Sequence, residues 1–335
     1  MKIIVPMAGR GSRLRPHTLT TPKPLIKVGG KPIVQRLVED IAKISTDKIE
    51  EIAFIIGDFG KEVEEQLVGI AEGLGAKGSI YFQDKPLGTA HAILCAAPAL
   101  DGETVIAFAD TLFKADFTLD PDSDGVIWVK QVDDPSAFGV VQIADEGHIE
   151  NFVEKPETFV SDLAIIGIYY MKDGPALRDE MQYLIDNNIT DKGEYQLTDA
   201  LEAMRLKGAK LQPGTVDHWM DCGNKDATVD TNSRMLGFLD GMPELRGEKV
   251  TLENSTITEP CYIGEGAVIR NSKIGPGVSV GANTTVENCT ITNTIIQTES
   301  IVKDIDLDNS MIGNKAEVSG KFKTLSVGDF SKLEA

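Results

Sequence analysis

The chain has 335 residues, a formal net charge of −19 and 41% hydrophobic residues. This length suggests two domains, and the hydrophobic content is that of a globular protein rather than a disordered one. The acidic charge argues against nucleic acid or an anionic membrane as partners, and the lack of an apolar run of about 18 residues or a signal peptide predicts a soluble, cytoplasmic protein.

In chain order, an apolar run at residues 2–7 predicts a buried strand, and helical spacing of apolar residues follows at 32–44. The alternation continues with strands at 52–56, 79–83 and 104–108 and helices at 61–74 and 89–97. Strands then dominate at 125–131, 139–143, 148–154 and 164–171, before helices at 176–187 and 195–206. This order predicts a doubly wound, mixed α/β sheet of Rossmann-like type over residues 1–245.

Beyond residue 245 the pattern changes to a short repeat. Aliphatic residues recur every five or six positions, at Ile257, Ile263, Ile269, Ile274, Val280, Val286, Ile291, Ile296 and Ile301. So short and regular a period predicts a parallel β-helix of hexapeptide coils rather than a helical repeat or a sandwich. We expect about four coils over residues 250–320 and a C-terminal tail at 321–335.

The first 38 residues hold eight Lys or Arg and no acid, in a chain that is otherwise strongly acidic. Gly9 and Gly11 directly follow the first predicted strand, where backbone amides commonly bind phosphate. Cations lie around them at Arg10, Arg13, Arg15 and Lys23. The segment matches neither a P-loop nor a dinucleotide fingerprint. We expect residues 9–23 to meet substrate, with His17 as a further candidate, and Lys2, Lys31 and Arg36 to be surface charge.

A series of motifs resembles those of the sugar-1-phosphate nucleotidylyltransferase family. The entry motif is Gly9-x-Gly11-Ser12-Arg13-Leu14-x-Pro16 with Pro22-Lys23-Pro24-Leu25. The later motifs are Gln83-Asp84-Lys85-Pro86-Leu87-Gly88-Thr89-Ala90, Phe138-Gly139-Val140-Val141, Glu154-Lys155-Pro156, Gly167-Ile168-Tyr169 and Trp219-x-Asp221-x-Gly223. The resemblance is strongest to the glucose-1-phosphate thymidylyltransferases that carry a C-terminal left-handed β-helix, and it extends over nearly the whole chain.

The resemblance implies Mg²⁺-dependent transfer of a nucleotidyl group from an NTP to a hexose 1-phosphate, which yields an NDP-sugar and pyrophosphate. It implies catalytic roles for Arg13, Lys23, Asp110, Lys155 and Asp221, with Asp110 and Asp221 as the metal ligands. It implies nucleotide contacts from Ala8, Gly9, Gly11, Ser12, Arg13, Gln83, Gly88 and Thr89. It implies sugar-phosphate contacts from Lys23, Gly139, Glu154, Lys155 and Gly167.

The residue types suit that chemistry. Both reactants are polyanions, so the site must neutralise charge and hold the reacting atoms in line, without a protein nucleophile. Mg²⁺ usually takes one or two carboxylates together with substrate phosphates. Asp110 follows a predicted buried strand, at the edge where open α/β sheets bind ligands. Asn224, where the family more often has Thr, is expected to cap the next helix.

Three alternatives remain at this point. The nucleotide could be dTTP or UTP, which the resemblance of Gln83 favours, or GTP. The sugar stays open because Ile165 and Ile166 are apolar where many relatives have a polar residue. The chain could also be a non-catalytic sensor of NDP-sugars. A second, acyltransferase site is disfavoured because no histidine follows His218, and we therefore expect the β-helix to support a homo-oligomer.

Overall fold

The computed structural model describes residues 1–45, 48–115 and 123–334, which divide into two compact units. The first, here the α/β unit, comprises Met1–Gly9 and Leu37–Trp219. The second, here the β-helix unit, comprises Arg10–Arg36 and Met220–Ala335. The basic segment near the N-terminus therefore leaves the first unit after Gly9 and belongs to the second.

Up to residue 221 the described elements are, in chain order, β1 (Lys2–Pro6), β2 (Lys27–Val28), β3 (Lys31–Pro32), α1 (Ile33–Ile44), β4 (Glu51–Ile56), α2 (Lys61–Gly73), β5 (Lys77–Phe82), α3 (Thr89–Leu94), β6 (Thr104–Ala107), β7 (Thr111–Lys114), β8 (Gly125–Gln131), β9 (Gly139–Ile143), β10 (Ile149–Glu154), β11 (Leu163–Met171), α4 (Gly174–Asp186), α5 (Leu197–Leu206), β12 (Leu211–Thr215) and β13 (His218–Asp221).

The α/β unit is built on one mixed sheet with the strand order β10-β9-β11-β6-β1-β4-β5, and β8 and β12 extend it beside β11. Strands β6, β1, β4 and β5 are parallel to their neighbours in this group, whereas β11 is antiparallel to β6. Every residue of β4 and β6 is buried, as expected of parallel strands that helices cover on both faces. The structure thus confirms the mixed α/β sheet that the sequence predicts.

The rest of the chain consists of one helix and a succession of short strands: α6 (Lys225–Phe238), β14 (Thr251–Glu253), β15 (Thr256–Ile257), β16 (Cys261–Ile263), β17 (Val268–Arg270), β18 (Lys273–Ile274), β19 (Val278–Val280), β20 (Thr285–Glu287), β21 (Thr290–Ile291), β22 (Thr294–Ile296), β23 (Ile301–Lys303), β24 (Asp306–Leu307), β25 (Ser310–Ile312), β26 (Glu317–Ser319), β27 (Ser326–Val327) and β28 (Lys332–Glu334).

These strands form three parallel sheets of six, four and five strands, an arrangement consistent with the predicted left-handed β-helix. Ile269, Val286, Val302 and Val318 are successive register partners in the six-stranded sheet, and each is at most 2% exposed. A fully buried aliphatic side chain of this kind contributes about 1.5–3 kcal/mol to folding. The coils are therefore held together by stacks of like side chains.

Corner residues repeat along the coils as well. Asn254, Asn271, Asn288 and Asp304 all have φ between 48° and 55°, a left-handed conformation that Asn and Asp tolerate better than most residues. Each asparagine amide donates to the corresponding side chain one coil further on, at 3.4, 3.2 and 2.8 Å. The sequence separations are 17, 17 and 16 residues, so the coils shorten along the chain.

The structure corrects two expectations about the repeat. Ile301, predicted to point inward five residues after Ile296, is 39% exposed, and Val302 is buried instead because Val302, and not Ile301, is the register partner of Val286. The ladders also continue past residue 320, where a tail was expected, since β27 pairs with β25 and β28 pairs with β26. Among the described residues, no helix has the length and apolarity needed to cross a membrane.

Candidate functional site

The α/β unit brings several predicted site residues to one edge of its sheet. The parallel strands β6, β1, β4 and β5 all end there, and Gln83 directly follows β5. Ala8 and Gly9 lie just beyond β1, and Asp110 lies just beyond β6. Because β4 and β5 extend from one side of β1 and β6 lies on its other side, this edge contains a switch point of the kind where open α/β sheets bind ligands.

The side chain of Gln83 is oriented by its neighbours. Its amide nitrogen Nε2 lies 3.1 Å from Nδ1 of His91 and 3.3 Å from the carbonyl oxygen of Gly88. Burial, followed by the charge of Lys85, lowers the pKa of His91, so the ring is neutral and Nδ1 can accept the hydrogen bond. His91, on α3, lies just outside the sequence motif that ends at Ala90. The sequence analysis missed it because its role is visible only through this contact.

Gly139 and Glu154 are register partners in β9 and β10. A Cβ atom on Gly139 would lie 2.9 Å from Oε2 of Glu154, so only glycine leaves the carboxylate its place. The hydroxyl of Thr198 donates to the same oxygen at 3.2 Å, and Nζ of Lys155 lies 3.3 Å from Oε1. The structure thus assembles three predicted sugar-phosphate residues and adds Thr198, whose distance along the chain gave no sequence signal.

Gly167 connects this group to the strand that leads to Asp110. It lies within the register shift of β11 between Ile165 and Tyr169, and its carbonyl accepts a hydrogen bond of 3.0 Å from the amide of Phe108. Phe108 is two residues before Asp110. The sugar-phosphate residues therefore adjoin the same part of the sheet as Asp110.

Asp199 lies close enough to Glu154 and to another acidic residue, Asp191, to interact electrostatically with both. Burial, followed by the charges of Asp191 and Glu154, raises the pKa of Asp199 on α5. Lys192 donates from Nζ to the backbone oxygen of Lys155 at 3.4 Å, which places a second cation beside Lys155. This region therefore combines the carboxyl groups of Glu154, Asp191 and Asp199 with the exposed ammonium groups of Lys155 and Lys192.

The β-helix unit contributes the basic loop, defined here as Arg10–Arg36. Gly11 has a φ of 59°, its carbonyl accepts a hydrogen bond of 2.8 Å from the hydroxyl of Thr18, and a Cβ added to it would lie 2.9 Å from Cβ of Lys23. The short 3₁₀ turn that follows buries Leu14 and leaves Ser12 and Arg13 exposed. Glycine at this point therefore permits Lys23 to approach a turn that presents Arg13 to solvent.

Lys23 and Asp221, two further predicted site residues, also belong to the β-helix unit. Lys23 begins a 3₁₀ turn and is 8% exposed. Asp221 ends β13, and its backbone oxygen accepts a hydrogen bond of 2.7 Å from the hydroxyl of Thr231 in α6. Asn224 caps α6 as expected, since its Oδ1 accepts from the amide of Ala227 at 3.0 Å.

Arg36 was wrongly expected to be surface charge. It is 5% exposed, donates to the backbone oxygen of Val28 at 2.8 Å and to that of Gly29, and lies 3.2 Å from Glu244. A guanidinium group has five N–H donors, so it can be buried when carbonyl and carboxylate oxygens surround it. Arg36 therefore organises the hairpin of β2 and β3.

His17 is also buried, at 2% exposed, and its Nε2 lies 3.1 Å from the hydroxyl of Ser326. Burial lowers its pKa to about 4, and the opposing charges of Asp329 and Lys225 have smaller effects. His17 is therefore a neutral ring within the β-helix unit rather than a cation for phosphate.

Comparisons with known proteins agree with this architecture. The model of the nucleotidyl transferase family matches residues 2–236. The glucose-1-phosphate thymidylyltransferase of Streptomyces antibioticus is 30% identical over 100% of this chain and 99% of its own length. A low-salt glycan biosynthesis nucleotidyltransferase of Haloferax volcanii is 30% identical over 100% of both chains.

A solved structure shares the fold. It is described as a UDP-glucose pyrophosphorylase complexed with UDP-glucose, and it superposes on 71% of this chain and 98% of its own with a TM-score of 0.57 and 24% identity. The family match covers most of the chain, and the two relatives align along its whole length. The chain therefore belongs to the nucleotidyl transferase family and is a sugar-1-phosphate nucleotidyltransferase.

Proposed function

We propose that this chain makes dTDP-glucose and pyrophosphate from dTTP and glucose 1-phosphate, with Mg²⁺ as cofactor. The observation that carries the proposal is the position of Ala8, Gly9 and Asp110 beyond the ends of β1 and β6, at the switch point of the sheet. The full-length similarity to a protein named glucose-1-phosphate thymidylyltransferase supports the choice of substrates. We assign the reaction to residues 1–245 and a supporting role to the coils.

In this reaction an oxygen of the sugar phosphate attacks the α-phosphorus of the NTP, and the bond from that phosphorus to the bridging oxygen of pyrophosphate breaks. Positive groups lower the barrier because both reactants are anions. We assign Arg13 to the triphosphate and the departing pyrophosphate, Lys23 to phosphates near the α-phosphorus, and Lys155 to the sugar phosphate. Ser12, Gly9 and Gly11 contribute backbone or hydroxyl donors to the nucleotide.

The base is assigned to Gln83, with Gly88 and Thr89. Since Nε2 of Gln83 already contacts His91 and the Gly88 carbonyl, its Oε1 is the atom directed to the ligand. An amide oxygen accepts a hydrogen bond from the N3–H of thymine or uracil. Guanine offers an N1–H donor in the same way, so GTP is the main competitor of dTTP and UTP, whereas adenine has no such ring donor.

The hexose is assigned to the residues around Glu154. Its carboxylate can accept hydrogen bonds from sugar hydroxyls, and we assign further contacts with the sugar to Gly139 and Gly167. Ile165 and Ile166 are apolar and buried, at 6% and 2% exposed. Their side chains therefore supply no hydrogen bond that would select one hexose.

The residues present fit a magnesium ion. Asp110 and Asp221 carry hard carboxylate oxygens, which Mg²⁺ prefers together with substrate phosphates. We propose both as its ligands. When bound, Mg²⁺ neutralises phosphate charge in the transition state.

We also propose that the chain is a homo-oligomer. Leu252 and Ile301 are exposed apolar side chains in the six-stranded sheet of the β-helix, at 50% and 39%, and a partner subunit would cover them. Light scattering of the full chain at micromolar concentration should give more than the 36.2 kDa mass of one chain. A monomer mass would contradict the proposal.

The substrates are tested by a pyrophosphate-release assay that combines dTTP, UTP, GTP, CTP and ATP with several hexose 1-phosphates and Mg²⁺. We expect the highest kcat/KM with dTTP and glucose 1-phosphate, followed by UTP. A preference for GTP and mannose 1-phosphate would overturn the substrate assignment. Binding of an NDP-sugar without turnover of any pair would instead support the sensor alternative.

A further inference from the structure

The basic loop is attached to the last coil of the β-helix. The hydroxyls of Thr20 and Thr21 donate to Oδ2 of Asp329 at 2.6 and 3.0 Å. His17, three residues earlier than Thr20, lies against Ser326 of β27. The stretch just before Lys23 is therefore held by residues more than 300 positions away in the sequence.

The other end of the loop is attached to α6 and to earlier coils. In the hairpin of β2 and β3, the amide of Gly29 donates to Oδ1 of Asn232 at 2.9 Å, and the hydroxyl of Ser279 donates to the same oxygen at 2.7 Å. Nε2 of Gln297 donates to the backbone oxygen of Lys27 at 3.3 Å. Asn232 is completely buried. The segment containing Lys23 thus lies between two attachments to the rest of the β-helix unit.

Asp329 is itself held in place by the preceding coil. The backbone amide of Asn314 donates to its Oδ1 at 2.7 Å, and the Asn314 side chain donates to its Oδ2 at 3.2 Å. The carboxylate is therefore fixed before it accepts from the two threonines. Hydrogen bonds to an ionised carboxylate are stronger and more directional than bonds between neutral groups.

Asp308 offers a matched comparison within the same unit. It accepts hydrogen bonds from the hydroxyl of Thr292 at 2.7 Å and from the amide of Asn293 at 3.1 Å. These partners belong to the preceding coil. Asp308 therefore resembles Asp329 in accepting from a threonine hydroxyl and an asparagine amide, but both of these donors lie in the coils and none lies in the basic loop.

We propose that Asp329 is a positioning residue for nucleotidyl transfer, and that the terminal coil sets the geometry of the basic loop through Thr20 and Thr21. The inference rests on the proposed role of the loop in binding the triphosphate. Lys23 is only two residues beyond Thr21 and is 8% exposed, so a displaced Thr21 carries Lys23 with it. A shift of about 1 Å in a positioning group can cost about 10²-fold in rate.

The test compares full-length variants by steady-state kinetics with the best NTP and sugar phosphate. Asp329→Ala should lower kcat/KM for the NTP about tenfold or more and leave KM for the sugar phosphate within about twofold. Asp308→Ala should also lower the melting temperature, because it removes hydrogen bonds within the same unit, but it should keep wild-type kinetics. Unchanged kinetics in Asp329→Ala, or an equal loss in Asp308→Ala, would overturn the inference.

A second variant acts from the loop and leaves the coils intact. Thr20→Val with Thr21→Val removes both hydroxyls without changing side-chain size, and it should reproduce the kinetic loss of Asp329→Ala. Combining all three substitutions should add little further loss, because both changes remove the same interaction. Independent, multiplicative losses would contradict the proposed coupling.

Arg13→Ala separates this inference from the function on which it rests. If Arg13→Ala loses activity while Asp329→Ala does not, only the positioning role fails. If Arg13→Ala keeps wild-type activity, the proposed phosphate-binding role of the loop is wrong, and the positioning role of Asp329 fails with it.

Discussion

The two units place their candidate functional groups by different means. In the α/β unit, Ala8, Gln83 and Asp110 follow strand ends, so the hydrogen-bonded ladder of the sheet fixes their positions. In the β-helix unit, Arg13 and Lys23 lie on a loop whose regular structure before α1 is a hairpin of two-residue strands and short 3₁₀ turns. That loop is located by side-chain hydrogen bonds to Asn232 and Asp329.

This difference predicts different sensitivities. A backbone ladder tolerates most side-chain changes, so the sheet edge should be damaged only where the reacting groups themselves are altered. A loop held by a few side chains should also be damaged at its attachments, far from the phosphates. The variants that follow probe both kinds of position.

The largest effect is expected at the sheet edge. Asp110→Asn should lower kcat by about 10³-fold, because the variant loses a negative ligand for the cation that stabilises the transition state. The melting temperature should stay near that of wild type. Removal of Mg²⁺ by a chelator should have a comparable effect in the pyrophosphate-release assay. Asp179→Asn, an exposed control on α4, should be silent, and near-normal turnover by Asp110→Asn would refute the metal assignment.

Two arginines of the basic segment should separate binding from anchoring. Arg13→Ala should lower kcat/KM for the NTP about 10²-fold with little change in thermal stability, because the side chain is exposed. Arg36→Ala should instead lower the melting temperature by about 4 °C or more, since it leaves buried carbonyls of Val28 and Gly29 unsatisfied. Equal losses of melting temperature in both variants would contradict the assignment of Arg13 to binding and of Arg36 to anchoring.

His17 should make the β-helix unit sensitive to acid. Its pKa is about 4 in the folded chain against an ordinary value of 6.5, so the unfolded chain binds the proton more tightly. The stabilisation is complete above pH 6.5 and is lost as the pH falls towards 4. At pH 5 the loss in the free energy of unfolding is about 2 kcal/mol. Melting temperatures measured from pH 7 to 4 should therefore fall less steeply for His17→Gln. Parallel curves would count against a buried neutral His17.

The smallest effect is expected at the proposed sugar-binding residues around Glu154. Gly139→Ala places a Cβ atom 2.9 Å from Oε2 of Glu154, which should displace the carboxylate and raise KM for the sugar 1-phosphate about tenfold. KM for the NTP should not change. Gly102→Ala is the matched control because its added Cβ meets no atom within 4 Å. A rise in both KM values would show that Gly139 does not act on the sugar alone.

The sequence predicts the sheet edge well because the determinants are local. An apolar strand followed by Gly9 or Asp110 places those residues at the strand's carboxyl end, whatever the rest of the chain does. The coils were predicted from a short period for the same reason. The period failed at Ile301, because three steps of five residues from Val286 reach Ile301, whereas the register partner of Val286 is Val302, one residue further on.

The attachments of the basic loop could not be predicted in this way. Arg36 meets Glu244 across 208 residues, and His17 meets Ser326 across 309. No local periodicity marks either partner, and a buried cation has the same sequence appearance as a surface one. Only the folded β-helix unit shows that these residues organise the loop.

The central claim is that the chain joins an NTP to a sugar 1-phosphate by direct attack. It is tested most directly by measuring pyrophosphate release with dTTP, glucose 1-phosphate and Mg²⁺ while each component is omitted in turn. We predict release only when all three are present, with dTDP-glucose formed in equal amount. Release from dTTP without the sugar phosphate, or no release from any NTP and sugar phosphate pair, would contradict the claim.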